Sequence, residues 1–221
     1  EPTAPYEDYI GGMGLANKII YDEVAPGTDP LSEDAKIVYA VGPLTATGVP
    51  LAGRTTICFL STYTTDYQVV DAHCGGMFGA KVKMAGYDAI IVEGKSDKPV
   101  YLNIKNDKVE IKDGSMVWGL GTRATTEVLN RLEGVSACVA TIGPAGENLL
   151  PYACMMNSRN HSAGAGLGTV MGSTQGARRR GQRHREREGS AGSGRPVRLH
   201  AARNRRLQQQ PRRAFYPAGM G

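Results

Sequence analysis

Four glycine-rich junctions are where the spacing of this 221-residue chain could serve chemistry: GPLTATGVPLAGR (42–54), DAHCGGMFGAKVKMAGYDAIIVEGK (71–95), IGPAGENL (142–149) and MNSRNHSAGAGLGTVMGS (156–173). Each sits beside a predicted strand or helix end. A glycine accepts positive φ and lets backbone N–H groups come close to an anion, whereas an isolated one only makes a tight turn. Polar residues accompany the glycines: Arg54 follows Gly53, His73 precedes Cys74-Gly75-Gly76, and Asn160-His161-Ser162-Ala163-Gly164 leads into the last cluster. Taken alone, Arg54 reads as a solvated strand-end charge and each histidine as an ordinary polar loop residue. Cys58, Cys74, Cys138 and Cys154 are widely spaced with no C-x-x-C, so neighbours cannot assemble a zinc knuckle or an Fe–S ligand run. They read as free thiols in a reducing compartment. Asp71, Glu93 and Glu147 lie near the glycine loops and, without a visible partner, read as turn or cap residues.

The elements that must hold these junctions are legible in residues 1–173, where short apolar runs alternate with Gly, Pro and Asp as in a compact mixed domain. Residues 10–24 open with glycines and then space Leu15, Ile19 and Ile20 helically, predicting a short helix ending before Pro26. Segments 36–42, 55–60 and 88–93 are β-branched, bounded by turn residues, and predicted as buried strands. In 99–112, Val100, Leu102 and Ile104 alternate with polar residues, Asn106-Asp107 supplies a turn, and Val109 and Ile111 resume the alternation: a hairpin with one wet face. Residues 122–132 predict an amphipathic helix, capped by Thr122 or Thr125, with Val128, Leu129 and Leu132 inward. Segment 136–142 predicts a strand. Strands dominate and helices are few and separated, which favours an α+β fold over an alternating parallel design. No apolar run approaches the roughly 18–20 residues that span a bilayer, which excludes a membrane segment of that kind.

The net charge of +5 sums two unlike segments: residues 1–173 hold 13 Lys+Arg against 19 Asp+Glu (−6), and residues 174–221 hold 13 against 2 (+11). The second segment contains thirteen Arg, no Lys, no Ile, one Val and two Leu, so it has no apolar face to bury. An Arg-rich arm can bind nucleic acid, but that reading needs aromatic or base-reading residues among the arginines, and only Phe215 and Tyr216 are present, at the far end. Arg, Gly, Ala and Pro without Lys is what GC-rich DNA encodes in a wrong frame. Read one nucleotide later, the codons open to Leu207–Met220 permit CSNNHAVPSTPQAW, which looks like ordinary globular sequence. The expectation is a frameshift just after Ser173 and a disordered, non-native tail over 174–221.

In their order along the chain, the four junctions closely resemble the N-terminal domain of the aldehyde ferredoxin oxidoreductase family, the tungsten- or molybdenum-pterin enzymes. YIGGMGLANKIIYDE (9–23), DPLS (29–32) and Trp118-Gly119 support the likeness, which runs from Tyr9 to Ser173. The alternative-frame string also looks like the family's continuation.

The resemblance implies an α+β domain of two sheets and a few helices, forming a saddle-like base under a tungsten or molybdenum bis-pterin (molybdopterin). It places Arg54 between pterin and Fe–S cluster, where a guanidinium can donate to pterin or cluster sulfur. It assigns the Gly75-Gly76 junction to the first phosphate-contacting loop and His161, Ser162, Ala163 and Gly164 to the second. The backbone carbonyls of His73 and Ser162 are then ligands of a Mg ion bridging the pterin phosphates. Two departures stand out: many members carry Asn at His73, which a carbonyl ligand tolerates, and the 160–164 loop lacks a basic residue and is one residue short, so its alignment stays open between His161 and Ser162. No catalytic residue is assigned. The [4Fe–4S] ligands and the substrate pocket fall in a missing later portion, and an N-terminal piece is expected to be missing too. The implied activity is oxidation of an aldehyde to a carboxylic acid with ferredoxin as acceptor, by a cytoplasmic enzyme that is a homodimer when full length, with no membrane and no nucleic-acid partner. The rival readings are a stand-alone pterin-binding scaffold and a basic nucleic-acid-binding protein.

Overall fold

The computed structural model describes residues 4–158, 160–174 and 198–202. Its centre is β1 (Lys36–Val41), whose unbroken apolar run is explained by cover on both faces: Ile37, Tyr39 and Val41 enter one core, Val38 and Ala40 the other. β1 pairs antiparallel with β2 (Thr55–Leu60) and with β4 (Ala89–Glu93), and β2 pairs with β3 (Val69–Cys74). The expected strands over 36–42, 55–60 and 88–93 are therefore present, joined into one sheet.

A short 3₁₀ turn (Ala4–Tyr9) leads into α1 (Gly12–Glu23), which lays Leu15, Ala16, Ile19 and Ile20 on the second face. Its approach depends on Gly11, where a Cβ would lie 2.8 Å from the Val41 carbonyl oxygen and φ is +146°. The first face is covered by α2 (Phe78–Met84), α5 (Leu167–Thr174) and Met155. Fully buried side chains such as Phe59, Ile19 and Met155 each contribute roughly 1.5–3 kcal/mol.

A second sheet combines β7 (Ala140–Thr141), β8 (Met155–Asn157) and β9 (His161–Ala163) in the order β7-β8-β9. The strand expected over 136–142 thus shrinks to two residues. The hairpin β5 (Val100–Lys105) and β6 (Lys108–Asp113) stands apart as a third sheet, so the two expected sheets are three, and the fold is α+β with antiparallel pairing throughout the described residues. Asn106 takes φ +52° in the turn, as its residue type suggested.

The hairpin's faces differ from expectation. Leu102 and Ile104 pack against the first core, but Val109 and Ile111 remain exposed. The polar face is organised around Glu133, at the end of α3 (Thr122–Glu133), whose carboxylate accepts from Tyr101 Oη (2.8 Å), Asn103 Nδ2 (2.8 Å), Lys105 Nζ (2.9 Å) and Lys112 Nζ (2.7 Å). Turning Glu133 to the hairpin swings Leu132, one residue back on the helix, out to solvent, whereas Leu129 stays buried. Gly121 stands at the N-cap with no side-chain cap bond, so neither Thr122 nor Thr125 caps α3; Thr126 Oγ1 instead donates to the Thr122 carbonyl at 2.8 Å.

The tail also departs from expectation at two points. Helix α5 includes Thr174, whose carbonyl accepts the Ser96 N–H at 3.0 Å, so the folded body runs one residue past Ser173. Residues 198–202 form β10 (Arg198–Ala202), antiparallel to β4 from Arg198 opposite Glu93 to Ala202 opposite Ala89. An outer strand presents a row of backbone donors and acceptors that any extended segment can meet, so a composition unable to build a core still finds a place there. The rest of the expected disordered tail lies outside the described residues.

Candidate cofactor-binding site

The β2–β3 register pairs Thr55 with Cys74 and Thr56 with His73, so Arg54 and Gly75 emerge side by side at one end of the large sheet. From the small sheet, β9 packs against β3 and brings the 157–164 loop to the same place. Three segments distant in sequence, 53–54, 73–76 and 157–164, thereby converge.

Their contact is specific. Asn157, fully buried, donates from Nδ2 to the Gly75 carbonyl oxygen at 2.8 Å across 82 residues of sequence, and its Oδ1 accepts from Ser158 Oγ at 2.7 Å. A Cβ on Gly75 would lie 2.7 Å from His161 Cδ2, and one on Gly76 would lie 3.0 Å from His161 Nδ1 and 3.1 Å from Asn157 Nδ2. Gly76 has φ +76°, which independently favours glycine. The ring of His161 is also within 3.0 Å of Asn160 Oδ1 through Nδ1.

His73 is held differently. Its Nε2 is 2.7 Å from Asp71 Oδ2 and its Nδ1 is 3.2 Å from Thr56 Oγ1, so its ring is engaged within the β2–β3 pair. Asp71 thus has a partner, as do the other acids read as turn or cap residues: Glu93 pairs with Lys36 at 2.7 Å, and Glu147 accepts the Gly119 N–H at 2.9 and 3.0 Å. Burial pushes the Glu147 carboxyl up, against the Gly119 bond that lowers it.

Arg54 is exposed and makes no hydrogen bond or ion pair among the described residues. Its charge is felt by Cys74, whose thiol is pushed up by burial and drawn partly back by a hydrogen bond to Asn157 and by Arg54. Cys58 is pushed up to about 12, first by burial and then by the Asp71 charge. Both are buried thiols, as the sequence indicated. No group of three or more His, Cys, Asp or Glu suited to a metal ion occurs among the described residues.

The remaining glycine clusters serve another purpose. A Cβ on Gly146 would lie 2.5 Å from the Gly168 carbonyl oxygen, one on Gly168 2.6 Å from that of Cys154, and one on Gly166 2.6 Å from that of Pro151. Gly146 belongs to α4 (Pro144–Glu147), and α4 packs closely on α5. Gly166 and Gly168 are therefore internal packing positions, not ligand-facing ones. Gly164 keeps open room, its nearest neighbour to a Cβ being Cys154 Sγ at 4.0 Å, and Ser162 is exposed while Ala163 is buried. Sequence reasoning missed Asn157; its one signal is a polar residue closing the apolar run that becomes β8.

Residues 1–175 match the family model described as the aldehyde ferredoxin oxidoreductase N-terminal domain. The chain belongs to the aldehyde ferredoxin oxidoreductase family. It is 44% identical over 167 residues to the tungsten-containing aldehyde ferredoxin oxidoreductase of Pyrococcus furiosus, covering 75% of this chain and 27% of that protein. It is 35% identical over 182 residues to the WOR-like subunit of an aliphatic sulfonate oxidoreductase of the same organism, covering 75% of this chain and 28% of that one. Among solved structures it superposes with a TM-score of 0.72 and 38% identity on the active-site complex BamBC of benzoyl coenzyme A reductase, covering 76% of this chain and 25% of that chain. The chain spans about a quarter of the length of these relatives. These homologues are oxidoreductases, and no described helix is long and apolar enough to cross a membrane.

The converging loops fit the anionic tungsten cofactor that the aldehyde ferredoxin oxidoreductase family implies. An exposed guanidinium without a partner among the described residues stands beside the Gly75-Gly76 turn, and Asp71, further along β3, is paired with His73. The donor set is cationic and backbone-rich, as phosphate and dithiolene groups require.

Proposed function

We propose that this chain is the N-terminal, cofactor-binding part of a tungsten (or molybdenum) bis-pterin oxidoreductase that oxidises aldehydes or related oxo compounds to carboxylic acids. Electrons would leave through a [4Fe–4S] cluster, whose ligands lie outside this segment, to ferredoxin. The observation that carries the reading is the convergence of Arg54, the Gly75-Gly76 turn and the 160–164 loop at one end of the sheet. When bound, the metal-pterin supplies the two-electron chemistry. The chain's own residues would bind and orient it: Arg54 would donate to the cofactor's anionic edge, the 73–76 and 161–164 backbones would contact its phosphates, and the carbonyls of His73 and Ser162 would hold a Mg ion. The 44% identity to aldehyde-oxidising relatives, against 35% to a sulfonate oxidoreductase subunit, supports the aldehyde class.

The full-length enzyme is read as cytoplasmic and homodimeric. The Lys-free composition of 174–221 supports a reading frame that changes just after Ser173. The test is to sequence the coding DNA there, express the frame-restored enzyme, and measure tungsten, molybdenum and aldehyde-dependent dye reduction. A metal-loaded enzyme that reduces dye with aldehydes supports the proposal. A protein without either metal, or one that ignores aldehydes, overturns it.

A further inference from the structure

We propose that Asn157 and His161 form a latch that fixes the spacing between the two loops expected to carry the cofactor's phosphate ends, and that both are positioning residues rather than cofactor contacts. The inference rests on the functional reading above. It modifies that reading at His161, which the resemblance places against a phosphate.

Both halves of the latch are visible as geometry. The Asn157 amide has no exposure, its NH2 group donates to the Gly75 carbonyl oxygen at 2.8 Å and it also bonds the Cys74 thiol, so it is out of reach of any ligand. Its acceptor is committed as well, to Ser158 Oγ at 2.7 Å. A buried amide satisfied at both ends ties β8 to the end of β3 in one register, because losing either bond would leave a buried polar group unpaired. The His161 ring packs against the backbone of Gly75 and Gly76, at distances where a methyl group on Gly75 would overlap Cδ2 (2.7 Å). The space that an absent Cβ leaves at this turn is filled by an imidazole from the opposite loop. Gly75 is glycine because His161 is there, and the two loops can approach no closer and separate no further without losing that contact. Groups beside the latch that remain accessible, Arg54, Ser162 and the open face of Gly164, are left as the ones that touch the cofactor.

The experiment uses the full-length holoenzyme with four variants and two readouts: melting temperature, and the tungsten and pterin retained after gel filtration. His161→Ala, at a partly exposed position, keeps the fold but loses cofactor about 10- to 100-fold faster, the usual effect of removing a group that supports a binding shell. Asn157→Ala does the same with a lower melting temperature. His161→Phe, which keeps a flat ring and removes both nitrogens, retains cofactor close to wild type. Gly75→Ala lowers the melting temperature, and Gly75→Ala combined with His161→Ala recovers it to the level of His161→Ala alone. Wild-type cofactor retention in His161→Ala overturns the latch. So does equal loss in His161→Phe and His161→Ala, which makes the ring nitrogens direct contacts. Additive losses in the Gly75/His161 pair overturn it as well. If the wild-type enzyme carries neither tungsten nor molybdenum, the functional reading fails, and the Gly75/His161 melting cycle alone decides the latch.

Discussion

The turn at Gly75-Gly76 and the α4–α5 contact are both glycine-rich, and both belong to the motifs that identify the family, yet they are built for different ends. At α4–α5, Gly146 and Gly168 are pressed against backbone carbonyls, which cannot move aside. At Gly75-Gly76 the neighbour is a side chain, His161, and close by stands the Arg54 guanidinium, which has no partner among the described residues. The lesson is that a glycine motif reports close approach without saying what approaches. What lies over the glycine, a fixed backbone carbonyl or the edge of a side chain, separates the two.

The strongest way to break this comparison is to add a methyl group on the packing side. Gly146→Ala forces a Cβ to 2.5 Å from a carbonyl oxygen, and overpacking of this kind costs about 1–3 kcal/mol or more. The melting temperature should fall by several degrees, about 2–4 °C per kcal/mol, in parallel with every other property. An unchanged melt would mean that α4 and α5 slide apart freely, and the distinction collapses.

On the binding side, Arg54→Met should leave the melt unchanged, since the side chain is exposed and unpaired among the described residues. In the full-length enzyme it removes a charge-assisted donor worth about 1–3 kcal/mol, so aldehyde-dependent dye reduction should drop about tenfold. Arg54→Lys recovers only part, because a point charge does not reproduce the planar fork. Wild-type turnover and tungsten content in Arg54→Met would return this residue to a solvated strand-end charge.

The third region, the hairpin tied to Glu133, sharpens the comparison by belonging to neither class. Bonds from Lys112, Lys105 and Tyr101 hold the Glu133 carboxyl down at about 2. A depressed carboxyl stabilises the fold above its unfolded value of about 4.3, and that contribution disappears as pH falls from there through about 2. Glu133→Gln should therefore lower the urea midpoint at pH 7 and flatten its decline between about pH 4.5 and 2, with cofactor retention untouched. A variant with the wild-type acid profile would show that the hairpin does not depend on this carboxylate. The smallest effect is expected at Thr125, whose buried hydroxyl has no partner among the described residues and lines a cavity with Trp118 and Glu147. Thr125→Val should raise the melting temperature slightly, through removal of an unpaired polar group; a lowered value would indicate an ordered water on that hydroxyl.

How much of this was legible in the letters follows from what each level of structure depends on. The three buried strands and α1 were readable because burial on a β-sheet or helix face imposes a local period, visible at Ile37, Tyr39 and Val41 or at Leu15 and Ile19. The resemblance named the loops, but that they lie together depends on the register between β2 and β3 and on the packing of β9 against β3, which no local pattern carries. Asn157 was not readable, because its partner is an uncharacteristic one, a backbone carbonyl 82 residues away. The faces of the hairpin were misjudged because Glu133, far along the chain, converts a polar face into an internal one. The strand at 198–202 escaped notice for a related reason: composition predicts which segments can bury side chains, and β10 joins through its backbone.

That last strand carries a kinetic consequence. Because β10 and β4 belong to one chain, their pairing is an intramolecular event whose strength does not depend on protein concentration. At ordinary protein concentrations another copy competes poorly for the same edge. Cutting the chain after Thr174 would remove that advantage and leave a mostly buried, apolar strand with one row of hydrogen-bonding groups unmet. Self-association of the shortened protein would then rise with its concentration, driven by the loss of a local competitor rather than by any change in the core.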